Sequence, residues 1–325
     1  MNATTADDVL NLEGRRVLVT GGHGFLGRHV VKALERRELD RVLSPSRAEC
    51  DLTDRHQVLA FFKRERPDLV LHLAAAQGGV AWQKANQATA YLDNARMMDA
   101  IVDASIASSV DRVLFTASSI CYPRDAAVPY REATLWDGQP EPAHLGYAHA
   151  KRGGIALLQA AYEQHGLSSC VVMPANMYGP GARFEPERSN VVAAMIRRCL
   201  EARDQGDASI TCWGTGSPIR EFLYVEDAAE GILRAVVRCG TPSPLNLGTG
   251  VETTIAELVD TVAAQVGFDG EIRWDHDRPD GAARVCMDVA LMRERLDWLP
   301  SMSLGEGLQR TISWWQSFRN GQADT

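Results

Sequence analysis

Short apolar runs alternate with helix-spaced stretches through the first half of the chain. Arg16–Thr20, Arg41–Leu43, Leu69–Leu73, Val113–Phe115 and Ser169–Met173 each read as a buried strand. Between them, apolar positions recur at helical spacing. One such stretch runs from the glycines after Thr20 to about Arg37, and one is opened by Asp51-Leu52-Thr53-Asp54 with Thr53 or Asp54 as N-cap. Two longer ones cover about Asn86–Ser108 and Tyr147–His165. Strand–helix repetition of this kind predicts an α/β fold, a Rossmann-type doubly wound parallel sheet with right-handed crossovers. Asp40 reads as a turn residue before the second strand, and Gln77–Val80 as a flexible loop at the substrate mouth.

The pattern changes after Met173. Pro174–Gly181 is turn-rich, followed by a helix near Asn190–Ala202, a strand near Ser209–Trp213, a helix near Val225–Arg238 and a strand at Leu245–Leu247. This divides the chain into a dinucleotide-binding domain, residues 1–173 with returning segments at about 221–247, and a smaller α/β substrate lobe, residues 174–220 and 248–325. Trp213, Trp298, Trp314 and Trp315 are expected in cores. Gly153-Gly154 interrupts a helix, and close helix packing at a dimer interface is one reason for it.

Composition narrows the function. The 325 residues carry a net charge of −8 with a pI near 5.5, which argues against nucleic acid and anionic membrane surfaces as partners. No apolar run reaches membrane-spanning length, and Met1–Leu12 lacks the basic start of a signal peptide. Seven scattered cysteines without Cys-x-x-Cys spacing read as reduced thiols of a cytoplasmic protein. Neither they nor the eight histidines have metal-site spacing, so no metal is expected.

The first strand runs into Gly21-Gly22-His23-Gly24-Phe25-Leu26-Gly27 and then a helix. Gly22, Gly24 and Gly27 match one dinucleotide fingerprint; Gly21, Gly24 and Gly27 match a second. In either, glycines let the backbone approach a pyrophosphate at the helix N-terminus. The second strand ends in Ser44-Pro45-Ser46-Arg47, where an NAD enzyme usually presents an acid to the ribose 2′-hydroxyl. An arginine with hydroxyls suits a 2′-phosphate, so NADPH/NADP is expected in preference to NAD.

Tyr147 and Lys151 are one helical turn apart, and Ser118 follows the fourth strand. An ammonium favours the ionised form of a neighbouring phenol, so this pair is expected to move a proton on or off a carbinol oxygen. Ser118 would bond the same oxygen.

These motifs, in this order, resemble the extended short-chain dehydrogenase/reductase family acting on nucleotide sugars, and within it the GDP-fucose synthases. The resemblance rests on His72-Leu73-Ala74-Ala75 with Gly78-Gly79-Val80, Ser118-Ser119 through Tyr122-Pro123, and Gly146-Tyr147-Ala148 with Ala150-Lys151-Arg152. It continues through Asn176–Pro180, Arg220-Glu221-Phe222 with Tyr224-Val225 and Asp227, and Pro279-Asp280-Gly281. It implies catalysis by Ser118, Tyr147 and Lys151. It implies a cofactor held by Gly21, Gly24, Phe25, Leu26, Gly27, Ser44, Arg47, Asp51, Leu52, Leu73, Ala74, Ala75, Tyr147, Lys151, Pro174, Asn176 and Met177. It implies a GDP-linked sugar against Ser119, Ile120, Asn176, Asn190, Val191, Arg198, Trp213, Arg220 and Asp280, and a homodimer built on helix packing.

Two positions depart from the fucose-synthase pattern. Ile120 stands where that pattern has a cysteine, with Cys121 one place later, and Asn190 stands where it has a histidine. Those two groups serve as acid and base for epimerising C3 and C5, and neither isoleucine nor asparagine exchanges protons usefully at neutral pH. The expectation is an NADPH-dependent C4-keto reductase of a GDP-linked 4-keto-6-deoxy hexose or heptose. Its alternatives are a full epimerase-reductase using Cys121 or a substituted base, a 4-epimerase with retained NAD, and a non-enzymatic NADP-binding regulator.

Overall fold

The computed structural model describes residues 9–37, 39, 41–186 and 188–321; Asp40 and most of the Met1–Leu12 stretch lie outside them. The first half alternates β1 (Arg16–Thr20), α1 (Phe25–Glu35), β2 (Arg41–Leu43), α2 (Arg55–Glu65) and β3 (Leu69–His72). It continues through α3 (Val80–Ala85), α4 (Gln87–Ala107), β4 (Arg112–Thr116), α5 (Leu145–His165) and β5 (Ser169–Pro174). Asp54 is the N-cap of α2, its carboxylate accepting from the amides of His56 and Gln57. Two expectations need adjustment. The loop after β3 is cut short, because α3 begins at Val80. Helix α5 begins at Leu145, two residues before Tyr147.

The second half contains β6 (Asn176–Tyr178), α6 (Val191–Gln205), β7 (Ser209–Trp213), β8 (Ile219–Arg220), β9 (Phe222–Tyr224), α7 (Val225–Arg238) and β10 (Pro244–Leu247). After these come β11 (Thr253–Thr254), α8 (Ile255–Val266), β12 (Glu271–Asp275), α9 (Ala290–Leu296) and α10 (Leu304–Arg319). Strand β10 returns to the main sheet, pairing Leu245 with Val172 and Asn246 with Met173.

The six-stranded sheet has the order β10-β5-β4-β3-β1-β2, with every pairing parallel. Chain order reverses beside β1, which lies between β2 and β3. In an open parallel sheet a ligand crevice opens outside the carboxyl ends at such a switch point. Apolar residues from both sheet faces form the first core, joined by α7, β10 and α9 through residues such as Ile232, Leu245 and Met292. A second core gathers Ile196 and Leu200 of α6, Leu258 and Val262 of α8, and Leu308 and Ile312 of α10 around Tyr178, Phe184 and Tyr224. Trp314 and Trp315 pack on this second core, half-buried, and Trp315 stacks on Phe184 with ring centroids 4.0 Å apart.

The glycine pair in α5 has a local explanation at one position. A Cβ on Gly154 would come within 2.9 Å of the Phe115 ring and 3.1 Å of Met98, whereas one on Gly153 meets nothing within 4 Å. Close packing therefore falls on the sheet side of the helix, inside the protomer. Gly154→Ala is expected to destabilise the protein by about 1–3 kcal/mol through overpacking. Gly153→Ala should stabilise it by roughly 0.5–1 kcal/mol through helix propensity. Denaturant midpoints measure both, and equal shifts of one sign would contradict the assignment.

Candidate active site

Four features meet at the carboxyl edge of the sheet: the glycine turn after β1, the end of β2, the alanines after β3 and the serine turn after β4. Gly21 has φ +70°, and a Cβ there would lie 2.8 Å from the Ala74 Cα, so the turn and the alanine segment touch through backbone. A Cβ on Gly27 would strike the Gly21 carbonyl, and one on Gly22 would strike the Ser44 hydroxyl. Both fingerprint readings thus describe real constraints. Gly24 caps α1 without a side chain, leaving the first amides of the helix, at Phe25 and Leu26, without a side-chain cap.

The surroundings fit a dinucleotide. Ser44 Oγ is buried against Gly22 and has no hydrogen-bond partner among the described residues, as a ligand-facing hydroxyl would. Its carbonyl bonds the His23 ring at 3.0 Å. Arg47 is 80% exposed and pairs with Asp51 at 3.1 Å, so a 2′-phosphate would compete with that carboxylate. Asp51 is itself anchored by Thr53, which together with Arg47 holds its carboxyl below the usual range. Ser46 is taken by Glu49 through both its amide and its hydroxyl, which removes it from the free donors. Leu73, Ala74 and Ala75 are half-buried along the crevice. The buried Asn94 clamps the adjoining Ala76 through both of its backbone groups.

Tyr147 and Lys151 lie on the inner face of α5, 4% and 2% exposed. The Lys151 ammonium donates to the Thr116 carbonyl at 2.9 Å, at the end of β4. It also sits 4.6 Å from the centre of the Phe115 ring and 5.7 Å from that of Tyr147. Ser118 begins two residues further on and caps a turn of 3-10 helix over residues 119–121, its Oγ accepting from the Ile120 amide. The structure therefore carries Ser118 and Lys151 on elements joined at one strand end, with Tyr147 one helical turn away.

The electrostatics of this pair differ from the expectation. Burial pushes the Tyr147 phenol above its ordinary value, with the Cys121 thiol adding to the rise. Burial also brings Lys151 down to about 8. Desolvation is the largest cause of the shift for both groups. A protonated phenol is the form that can give a proton to an alkoxide.

Next door, His72 is buried, bonded to Thr20 Oγ1 at 2.8 Å and stacked on Phe115, and burial lowers it to about 3. It stays neutral and acts as a spacer for the ring under Lys151.

Cys121 and Ile120 part company in the 119–121 turn. Cys121 is fully buried, its thiol aimed at the Ala148 carbonyl at 3.8 Å and raised to about 11 by burial. Ser119 and Ile120 remain half-buried. Asn190 is committed elsewhere. It caps α6 through the Ala193 amide at 3.0 Å and donates to the Met177 carbonyl at 2.9 Å. Pro174 closes β5, and Asn176 and Met177 follow in β6 with Asn176 exposed.

Val191, Trp213, Arg220 and Asp280 come together in a cleft of about 220 Å³, with Gly216, Pro218 and Ile255 completing its wall. Trp213 corrects the core expectation. Strand β7 buries Ile210 and Cys212, so the period of two turns Thr211 and Trp213 outward. Trp213 is 69% exposed, with the Arg278 guanidinium 5.2 Å from its ring centre. Arg220 donates to the carbonyls of Ile219 and Ala282 at 2.7 and 2.6 Å. Asp280 holds the turn before β8 through the Thr215 amide and hydroxyl. Arg198 does not line the cleft; it sits two turns along α6 from Val191 and donates to the Thr211 carbonyl.

Two residues that the sequence offers only as members of longer motifs act as supports. Glu221, 1% exposed, accepts from the amides of Thr249, Gly250 and Met287, tying β8 and β9 to the loop after β10. Arg152 is buried beside Lys151 and bonds three carbonyls. Among the described residues there is no group of three His, Cys, Asp or Glu side chains able to hold a metal, and no helix long and apolar enough to cross a membrane.

A crevice of this kind, with the serine, tyrosine and lysine at one strand end, defines a dinucleotide-dependent sugar-modifying enzyme of the extended short-chain dehydrogenase/reductase type. The chain belongs to the NAD dependent epimerase/dehydratase family, whose model matches residues 17–248. It is 38% identical over 316 residues to a probable GDP-L-fucose synthase 1 of Oryza sativa subsp. japonica, covering 96% of each chain. Its fold is similar to that of a GDP-L-fucose synthetase from Naegleria fowleri bound to NADP, with TM-score 0.87, 24% identity and coverage of 98% and 99% of the two chains. It is likewise similar to a GDP-mannoheptose C4 reductase from Campylobacter jejuni with NADP bound, with TM-score 0.85, 24% identity and coverage of 94% and 99%.

The titration of Lys151 gives a test. An ammonium is present below about pH 8 and lost above it, while the phenol stays protonated throughout. For keto-sugar reduction, kcat/KM should be flat from about pH 6.5 to 7.5 and then fall, approaching tenfold per pH unit for a single lost proton. A flat profile to about pH 9.5 would remove Lys151 from the rate equation.

Proposed function

We propose that this oxidoreductase is an NADPH-dependent reductase of the C4 carbonyl of a GDP-linked 4-keto-6-deoxy sugar, hexose or heptose, leaving C3 and C5 unepimerised. The observation that carries the reading is the orientation of the 119–121 turn. Its thiol is enclosed against Ala148 and raised to about 11, and the half-buried residues of the turn are Ser119 and Ile120. Removing a proton from C3 or C5 needs a base within about 3 Å of it. Neither Ile120 nor the capped Asn190 supplies one.

Bound NADPH supplies the hydride. In this reading the glycine turn and the N-terminus of α1 hold the pyrophosphate, and Arg47 with Ser44 meets the adenosine ribose and its 2′-phosphate. Leu52, Leu73, Ala74 and Ala75 border the dinucleotide, and Pro174, Asn176 and Met177 close the far end. Lys151 holds the nicotinamide ribose, Ser118 orients the sugar carbonyl, and Tyr147 gives its proton to the new alkoxide oxygen. Arg220 meets the diphosphate, a role a guanidinium suits, while Trp213, Val191 and Asp280 border the nucleoside; Arg198 would need to leave Thr211 to join them.

Two further parts of the proposal have their own support. The exposed Tyr91 and Leu92 of α4 and Leu145 and Tyr162 of α5 favour a homodimer through these helices. Seven free, buried cysteines favour the cytoplasm.

A second reading, a bifunctional 3,5-epimerase/4-reductase, draws support from the fucose-synthase relative and would require Cys121 to leave Ala148. Incubation of the enzyme with a GDP-4-keto sugar in D₂O, with and without NADPH, separates the two. The proposal expects no solvent deuterium at C3 or C5 of the recovered sugar. Deuterium at either carbon, abolished by Cys121→Ser, would establish the second reading instead.

A further inference from the structure

Arg152 follows the catalytic lysine directly, yet it points to neither solvent nor an acid. It is 6% exposed. Nε donates to the Cys121 carbonyl at 2.8 Å, Nη1 to the Gly138 carbonyl at 2.8 Å and Nη2 to the Leu135 carbonyl at 2.7 Å. The exposed Trp136 lies over the guanidinium at 5.7 Å. One planar group thus joins three segments: the turn after Ser118, the 135–138 loop and the helix that carries Tyr147 and Lys151. Among the described residues no carboxylate pairs with it, and its charge is met by carbonyl dipoles.

The bond to Cys121 bears on chemistry. A 3-10 turn of three residues is a weak element, closed here by only two backbone bonds, Cys121 N to Ser118 O and Tyr122 N to Ser119 O. Beyond it, Tyr122 is anchored by its hydroxyl to Asn246 at 2.7 Å. Arg152 anchors the carbonyl between these two points. Fixing that carbonyl fixes the peptide plane, and with it which side chain of the turn faces α5 and which faces the crevice.

We infer that Arg152 is a positioning residue that clasps the 119–121 turn to α5, setting Ser118 opposite Tyr147 and keeping the Cys121 thiol turned in against Ala148. This rests on the reading of Ser118, Tyr147 and Lys151 as the hydride site. It also goes beyond it, because it assigns the absence of epimerisation chemistry to an arginine outside the reacting groups as well as to Ile120.

All seven cysteines are buried and free, which provides an internal control. The experiment compares wild type, Arg152→Lys and Arg152→Met by iodoacetamide labelling of the native protein, quantified at each cysteine by mass spectrometry, together with steady-state reduction of a GDP-4-keto sugar. Arg152→Met should lower kcat by roughly ten- to a hundredfold, as a small misplacement of reacting groups does. KM for NADPH should stay within about twofold, since Lys151 keeps its bond to Thr116 and the pyrophosphate and adenosine ribose are met by other elements. Cys121 alone should become reactive, and Arg152→Lys, able to reach one carbonyl, should fall between. Labelling of all seven cysteines together, or a KM for NADPH that rises in step with the fall in kcat, would show a general stabilising role and overturn the proposal. So would an unreactive Cys121 with unchanged kcat. The labelling needs no substrate: selective exposure of Cys121 in a protein that reduces no keto sugar would keep the clasp and remove the reductase reading.

Discussion

The site depends on an ammonium held out of water. Lys151 is enclosed on α5, where its ammonium donates to the carbonyl of Thr116 at the end of β4. Enclosing a charge is costly, and the drop to about 8 expresses that cost. The bond to Thr116 and the Phe115 ring beneath offset part of it. The same bond welds the helix carrying Tyr147 to the strand that leads to Ser118. Gly154, flat against Phe115 one turn further along, lets α5 lie close enough for Lys151 to reach. The sheet, the glycine and the lysine thus form one mechanical unit, and the chemistry sits at its edge.

Around that unit the chain uses backbone groups as its fixing points. Arg152, Asn94 and Glu221 each bind two or more main-chain atoms from distant segments. Each satisfies loop groups that a sheet or helix would otherwise have to pair. The two cores divide the labour. The first core supports the crevice for the dinucleotide, and the second supports the wall carrying Trp213 and Arg220, with Glu221 and Asn190 at the seam.

Much of this was legible in the sequence, for reasons that differ by residue. The glycine turn, the strand runs and the Tyr147–Lys151 spacing are local patterns, and local patterns fix helices and strands. Trp213 faces outward because the period of two sets it opposite Ile210 and Cys212, a register that the residue type alone does not reveal. Helix α3 was missed because six residues give too few turns to show a period. The fall of Lys151 and the rise of Tyr147 could not be read from spacing, since both come from how completely the fold encloses them. Arg152 and Asn94 were invisible as anchors for another reason: their partners are carbonyls and amides, which every residue has.

The most direct test of the account follows the hydride itself. NADPH carrying deuterium at the transferred position of nicotinamide C4 is supplied with a GDP-4-keto-6-deoxy sugar in ordinary water, and the product is located atom by atom by NMR. The account predicts one deuterium, on sugar C4, with C3 and C5 in their original configuration. A product without deuterium at C4, or with C3 or C5 inverted, would contradict it.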